Sequence, residues 1–313
     1  MINKRELLLD LVHNNTYPGY IPAAFFMHFD DTHHQGQPAI DKHMEFFHYT
    51  GMDFVKIQYE QPLPREIAIR KPEDWAKVPL VAEQFFEPTI RVAEGLVKAA
   101  NREALVIMTV YSPLMQAIRQ ADAEKVANHL YENPEAVATG LSIMTENVLK
   151  LLRGCMRVGV DGFYVSTQGG EATRFEDKSI FKNYIKPTDL AVWEEIQNCR
   201  FNILHVCDYE GSYDDLAPFL DYPGHVVNCS LKLGDKTLAA KEVSELFDRP
   251  FMGGLERKGV IATGDRQSIR QAVDEVLSQA PERFILAADC TVPSDTPWEN
   301  LKTAIEIAHG YSK

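Results

Sequence analysis

The sequence predicts an α/β fold, a (β/α)8 TIM barrel, and three observations carry that prediction. Eight short runs rich in β-branched and aromatic residues alternate with longer helix-like stretches, the pattern of βα units around a parallel sheet. The 313 residues are 45% hydrophobic, enough to fill a large core in a single domain spanning 1–313. Ligand-type side chains gather at the ends of two of the runs, at the rim where barrels keep their active sites.

The opening stretch, MINKRELLLDLVHNN, is apolar at helical spacing but carries Glu6 and Asp10, so it reads as an amphipathic helix and not as a secretory signal. The first strand is predicted over Ile21–Met27, with the polar run HFDDTHH at its end. A helix over Ala39–Thr50 stops at Gly51, and Asp53–Tyr59 forms the second strand. A helix over Glu87–Ala100 leads to the third, Ala104–Val110. Pro134-Glu135 opens a long helix to about Arg157, since proline suits the first helical turn, and Gly162–Thr167 is the fourth strand. A helix over Phe181–Asn198 precedes strands five and six, Phe201–Cys207 and His225–Cys229. Helices over Lys236–Phe247 and Arg266–Gln279 flank strand seven, Pro250–Leu255, and strand eight is Arg283–Asp289. The last helix starts at Thr296-Pro297-Trp298-Glu299, with Thr296 as its cap.

Acidic residues outnumber basic ones by 45 to 32, a net charge of −13, which argues against nucleic acid and anionic membranes as partners. No apolar run approaches membrane-spanning length. Five scattered cysteines do not suggest a disulfide framework, and a reducing cytoplasm is the expected location.

His205 and Cys207 lie two apart in strand five and so point the same way, while Cys290 follows strand eight. Two thiolates and a neutral imidazole suit a Zn²⁺ centre with an open fourth position, where a thiol could be held as its thiolate. The alternative is that these cysteines pack as small apolar side chains.

The segments GMDFV (51–55), KPEDWAKVPL (71–80), MRVGVDGFYVS (156–166), HVC (205–207), MGGLERKGVIATG (252–264) and DCTVPSDTPWENLKTAIEIAH (289–309) occur in a specific order and spacing. In them the chain resembles the uroporphyrinogen decarboxylase superfamily, in particular its methyltransferase-like branch, which includes the corrinoid:coenzyme M methyltransferases. That resemblance covers nearly the whole sequence. It implies a TIM barrel of uroporphyrinogen decarboxylase type, with zinc on His205, Cys207 and Cys290. It also implies a thiol acceptor, and a methylcorrinoid co-substrate carried by a separate partner protein.

The decarboxylase branch implies other parts. Arginine forks are the natural receptors for the carboxylates of a porphyrinogen, and those enzymes place an arginine-rich R-Q-A-G-R type segment after the first strand. Here Glu6 to Asp41 holds no lysine or arginine, and FFMHFDDTHHQG would present Asp30 and Asp31 to an anionic tetrapyrrole. The aspartate expected after strand two is replaced by Gln58-Tyr59-Glu60.

Further candidates are weaker. His28, Asp30, Asp31, His33 and His34 form either a second metal site or a solvated loop. An amidohydrolase-like reading of His28, His205 and Asp289 fails, because His225 opens strand six instead of ending it and the cysteines go unexplained. Gln168-Gly169-Gly170-Glu171 follows strand four, with Glu171 a candidate fourth ligand or general base. Gly253-Gly254 lacks Walker-type spacing and implies no nucleotide. Cys155, Cys199 and Cys229 are assigned to packing.

The expected function is therefore zinc-dependent methyl transfer from a methylcorrinoid to a thiol or similar nucleophile. His28, Gln58, Glu60, Tyr111, Gln168 and Glu171 are candidate pocket residues. The alternatives are a lyase acting on an unusual tetrapyrrole and a corrinoid- or metal-binding protein without catalysis. A homodimer is compatible with the sequence.

Overall fold

The computed structural model describes residues 3–16, 19–58, 62–65 and 67–311. The strands are Phe54–Ile57 (β1), Leu105–Tyr111 (β2), Gly162–Thr167 (β3), Ile203–Val206 (β4), Val226–Cys229 (β5), Lys232–Leu233 (β6), Lys236–Thr237 (β7), Phe251–Leu255 (β8) and Phe284–Ala288 (β9). Seven of them form one parallel sheet in the order β1-β2-β3-β4-β5-β8-β9, and β6-β7 is a separate antiparallel hairpin. The helices are Lys4–His13 (α1), Gly36–Thr50 (α2), Glu87–Ala100 (α3), Pro113–Ala121 (α4), Ala123–Glu132 (α5), Pro134–Arg157 (α6), Lys186–Glu195 (α7), Ala240–Phe247 (α8), Val260–Thr263 (α9), Arg266–Ser278 (α10) and Trp298–His309 (α11). Among the described residues, no helix is long and apolar enough to cross a membrane.

The eighth position of the barrel is taken by the predicted first strand in irregular form. Ile21–Met27 makes only two isolated bridges, Ala23 with Leu286 and Met27 with Val292. Ala24 N–H donates to Leu286 O at 3.0 Å and Leu286 N–H to Pro22 O at 2.8 Å, while on the other side Asp53 N–H donates to Ala23 O at 3.0 Å. The segment thus bridges β9 to the chain entering β1 and completes the ring. It is no regular ladder because Pro22 has no N–H and the Ala23 N–H is taken by the Asp53 carboxylate at 2.7 Å.

Other boundaries shift for local reasons. Strand two stops at Ile57, since the Gln58 N–H turns to His43 Nε2 at 3.0 Å, and Tyr59 lies outside the described residues. Lys236-Thr237, expected as helix, pairs back onto β6 through a turn in which Gly234 takes φ +55°. The helix expected over Phe181–Asn198 opens with a π turn at Phe181–Ile185 and ends at Glu195. The last helix has Pro297 in the cap position, and the buried Thr296 hydroxyl has no partner, so Thr296 does not cap. Predicted and observed limits coincide for α3 and α6.

One buried acid ties the helix layer to the sheet. Asp189 of α7 accepts the Thr167 hydroxyl at 2.6 Å and the Tyr222 hydroxyl at 2.8 Å on one oxygen, while its other oxygen has no partner. Burial pushes this carboxyl up to about 7, the two hydroxyl donors only partly opposing it. Free in the unfolded chain it titrates near ~3.9, so between the two values the native state keeps a proton that the unfolded state has lost. Stability therefore falls as pH rises from about 4 to about 7 and levels off above. Urea unfolding at pH 5 and pH 8 should show roughly 2–3 kcal/mol of such loss, and Asp189→Asn should remove that slope. Equal slopes in the two proteins would exclude Asp189 as its source.

Candidate metal centre and its cavity

A cavity of about 580 Å3 opens at the C-terminal ends of the strands. Alternation along each strand turns one parity inward. That parity supplies Lys56 from β1, Thr109 and Tyr111 from β2, Tyr164 and Ser166 from β3, and His205 from β4, all lining the cavity with Gln168, Cys207, Arg257 and Cys290 just beyond strand ends. A second hollow, about 480 Å3 with Arg5, Asp161 and Arg200 in its walls, lies at the opposite ends of the strands, away from these groups. Barrel chemistry belongs to the C-terminal rim, which favours the first.

His205, Cys207 and Cys290 meet in one wall of that cavity, with one ligand atom from each within 4.8 Å of the others. His205 is buried and its ring stacks on Tyr164 at 4.9 Å between centroids and 27° between planes. The Tyr164 hydroxyl is anchored on Asn228 Oδ1 at 2.5 Å, and Asn228 in turn donates to the Met252 and Ala288 carbonyls. Cys207 is fixed through its backbone, its N–H on Thr167 O at 3.0 Å and its carbonyl accepting from the Tyr213 hydroxyl at 2.9 Å. Gln168 Nε2 approaches the Cys207 sulfur at 3.7 Å.

The two thiols titrate as a pair. Contact with Cys290, then burial, pushes Cys207 well up, whereas contact with Cys207, the His205 imidazole and the Arg257 guanidinium hold Cys290 well below the usual thiol range. Neither ring nitrogen of His205 makes a sound hydrogen bond, although the imidazole lies close enough to Cys290 to favour its thiolate. Two soft sulfurs and an imidazole without a fixed donor or acceptor fit zinc, whose bonds to such ligands are roughly 2.0–2.3 Å and require only a small contraction of the group.

Arg257 connects the two cysteine-bearing loops. Its guanidinium pairs with Asp208, next to Cys207, at 2.6 Å and lies 3.6 Å from Asp289, next to Cys290, while the Arg257 backbone N–H donates to the Asp289 carboxylate at 2.8 Å. Arg257→Met should let the loops drift apart and lower zinc affinity about 10- to 100-fold, the usual effect of losing an outer partner of a metal site. Competition with a chromogenic chelator measures this, and unchanged affinity would mean that the clamp is irrelevant to the cysteines.

The remaining candidates divide. Tyr111 and Gln168 line the cavity, Tyr111 with the Arg119 guanidinium 3.9 Å over its ring. His28 stands at the mouth, where it keeps solvent contact although the surrounding walls and Lys56 hold its imidazole below the usual range. Gln58 is buried and absent from the cavity walls, its N–H bound to His43. Glu171, proposed as ligand or base, is held elsewhere: it accepts the Gly169 N–H at 2.7 Å and pairs with Arg174 at 2.8 Å. Glu60 lies outside the described residues.

HFDDTHH folds into a local turn, with Asp30 capping Thr32 and pairing with His33, and His34 on the Phe29 carbonyl. Among the described residues His205, Cys207 and Cys290 form the single ligand-type group of metal-binding size. Lys56 and Arg257 are the residues that the sequence reading passed over. An ammonium inside the apolar run FVKI was the available signal for the first; nothing local marked the second.

Comparison with known proteins bears on fold and family. The fold matches a methyltransferase from Methanosarcina mazei at TM-score 0.81, with 13% identity and 98% of each chain covered. It also matches a B12-independent methionine synthase from Shewanella sp. W3-18-1, solved in complex with selenomethionine, at TM-score 0.55 with 10% identity, over 93% of this chain and 95% of that one. No curated protein sequence matches significantly. The model of the family described as uroporphyrinogen decarboxylase (URO-D) matches residues 47–311, from the end of α2 through β9 and α11, and the chain therefore belongs to the uroporphyrinogen decarboxylase family.

Proposed function

We propose that the protein is a zinc-dependent methyltransferase that uses its cavity to join a methyl group from a methylcorrinoid to a thiol or similar soft nucleophile. The convergence of His205, Cys207 and Cys290 in one cavity wall, with both imidazole nitrogens lacking a hydrogen bond, is what supports it. When bound there, zinc would supply Lewis acidity that keeps an entering thiol deprotonated at neutral pH. The likeness to a methyltransferase and a methionine synthase in fold agrees with this choice over tetrapyrrole decarboxylation.

The chain's own residues prepare the step. The Cys290 and Cys207 sulfurs, with Gln168 Nε2 3.7 Å from the second, form the soft-ligand side of the site. Stacking on Tyr164 fixes the His205 ring, a task that a hydrogen bond on the second nitrogen performs in most metal sites. Tyr111 and Arg119 wall the cavity on the β2 side. The exposed rim, where Tyr209 keeps 72% of its surface, faces outward for a donor presented by a carrier protein.

In the transfer, the acceptor's S–H releases its proton to solvent on binding, an S–C bond forms, and the Co–C bond breaks with its electron pair left on cobalt. Methylcobalamin incubated with a simple thiol and the protein should lose its Co–C absorbance, stop doing so with a zinc chelator and resume when zinc is restored. Porphyrinogen turnover that persists under chelation would instead establish the lyase. Tight corrinoid binding without either turnover would establish a binding protein.

A further inference from the structure

Three arginines and one acid stand in the walls of the hollow of about 480 Å3 at the N-terminal ends of the strands: Arg5 from α1, Arg102 before β2, Arg200 before β4 and Asp161 before β3. The acid serves only the first of them. Asp161 Oδ1 accepts from Arg5 Nη2 at 2.6 Å and its Oδ2 from the Val106 N–H at 2.9 Å, so both oxygens are committed within the fold. Arg5 is 6% exposed, and its Nη1 donates to Glu6 at 3.1 Å. The guanidiniums of Arg102 and Arg200 have no ion pair or hydrogen bond among the described residues, and the Asn198 amide in the same wall has none either.

Arg102 also stands on backbone that disfavours it. Its φ is +63°, directly after Asn101 at +45°, and a second consecutive left-handed residue is a place for glycine. Packing does not hold the arginine there, because the residue is exposed. The bland account is that arginines at this end of a barrel offset the carbonyl ends of α3 and α7, which finish at Ala100 and Glu195. That covers a charge near each helix end. It does not cover a shared hollow, nor the apolar surface between the charges, which Val97, Val106, Met156 and Val160 provide. In a chain of net charge −13, two unpaired guanidiniums beside an apolar wall are a local reversal of sign.

We propose that this hollow is a second binding site, for a small molecule that carries a phosphate-type dianion on an apolar body. Arg102 and Arg200 supply the two forks, each matching a pair of phosphate oxygens, and Asn198 adds a neutral donor. The Arg5–Asp161 pair is the fixed back of the site, holding α1 against the turn into β3. Val97, Val106, Met156 and Val160 take the apolar part, and the volume suits a small molecule. The hollow lies at the opposite end of the barrel from His205, Cys207 and Cys290, so it stands or falls apart from the methyl-transfer reading.

Calorimetry on the protein as purified, at fixed ionic strength and with phenyl phosphate as the probe, is the test. Phenyl phosphate should bind, inorganic phosphate about tenfold more weakly for want of the ring, and phenol not at all. Arg102→Gln and Arg200→Gln should each weaken phenyl phosphate about tenfold or more, as the loss of a charge-assisted hydrogen bond does. Lys56→Met alters the rim cavity instead and should leave that affinity unchanged. Cys199 reports the location, since it lines the hollow. Burial and Asp161 push its thiol up to about 11, so N-ethylmaleimide adds slowly, and phenyl phosphate should slow it further when the adduct is followed by peptide mass spectrometry. No binding by the wild type, a Cys199 rate that phenyl phosphate leaves unchanged, or binding lost in Lys56→Met would overturn the site. Arginine variants that melt lower yet bind phenyl phosphate as the wild type does would also overturn it and return both residues to the helix ends. Equal affinity for inorganic and phenyl phosphate would overturn the apolar half of the assignment.

Discussion

Cys290→Ala protein is expected to purify without zinc, while the wild type carries about one ion per chain in elemental analysis. Structural zinc sites bind with ~10–16 kcal/mol near neutral pH, so losing one of the three ligands here should weaken affinity on the order of a thousandfold. The fold should survive, for Cys290 follows β9 in a bend and is half-buried, outside the packed interior. Cys155→Ala makes the contrasting control: that thiol is fully buried in α6, so its removal should lower stability and leave zinc in place. Stoichiometric zinc in Cys290→Ala would sink the proposed centre. So would zinc lost equally from Cys155→Ala, since that would point to general unfolding.

The barrel was legible because its strands are short apolar runs and its helices begin at identifiable prolines. Pro134 and the apolar period after it place α6 correctly at both ends. The metal-type trio was legible for a related reason: strand parity alone puts His205 and Cys207 on one face, and barrel topology then brings the end of β9 around to the same rim. Glu171 shows where such reasoning stops. Its position after β3 is right for a ligand, but Arg174 lies three residues further on and the Gly169 N–H two residues back, and these local partners capture the carboxylate before it can reach the cavity. Lys56 and Arg257 show the converse. Their significance depends on what stands across the barrel, the Tyr164 ring for one and a pair of aspartates from two loops for the other, and no sequence window contains those neighbours.

The irregular first strand has the largest consequence for stability, because Asp53 substitutes for the ladder that is missing there. Its carboxylate is fully buried and accepts from the Ala23 N–H at 2.7 Å, the Tyr20 hydroxyl at 2.7 Å and His309 Nε2 at 2.8 Å, with Lys4 at 3.9 Å. One side chain thereby ties together the closing segment, the entry to β1, α11 and α1. Asp53→Ala would strand the Ala23 N–H and the Tyr20 hydroxyl in the interior, and removing one member of a buried charged network costs about 3–5 kcal/mol. Denaturant unfolding should register that loss, and amide exchange should quicken at Ala24 and Leu286, whose hydrogen bonds close the barrel. A change within about 0.5 kcal/mol would class Asp53 with ordinary surface positions and refute its role as the closure. The site should feel the change indirectly: the Val292 N–H, two residues beyond Cys290, donates to Phe26 O at 2.8 Å, so a frayed closing segment loosens the loop that carries Cys290. Zinc affinity should therefore fall in Asp53→Ala, but by less than in Arg257→Met, since Arg257 holds the residues beside both cysteines and Asp53 reaches only one of them through the backbone.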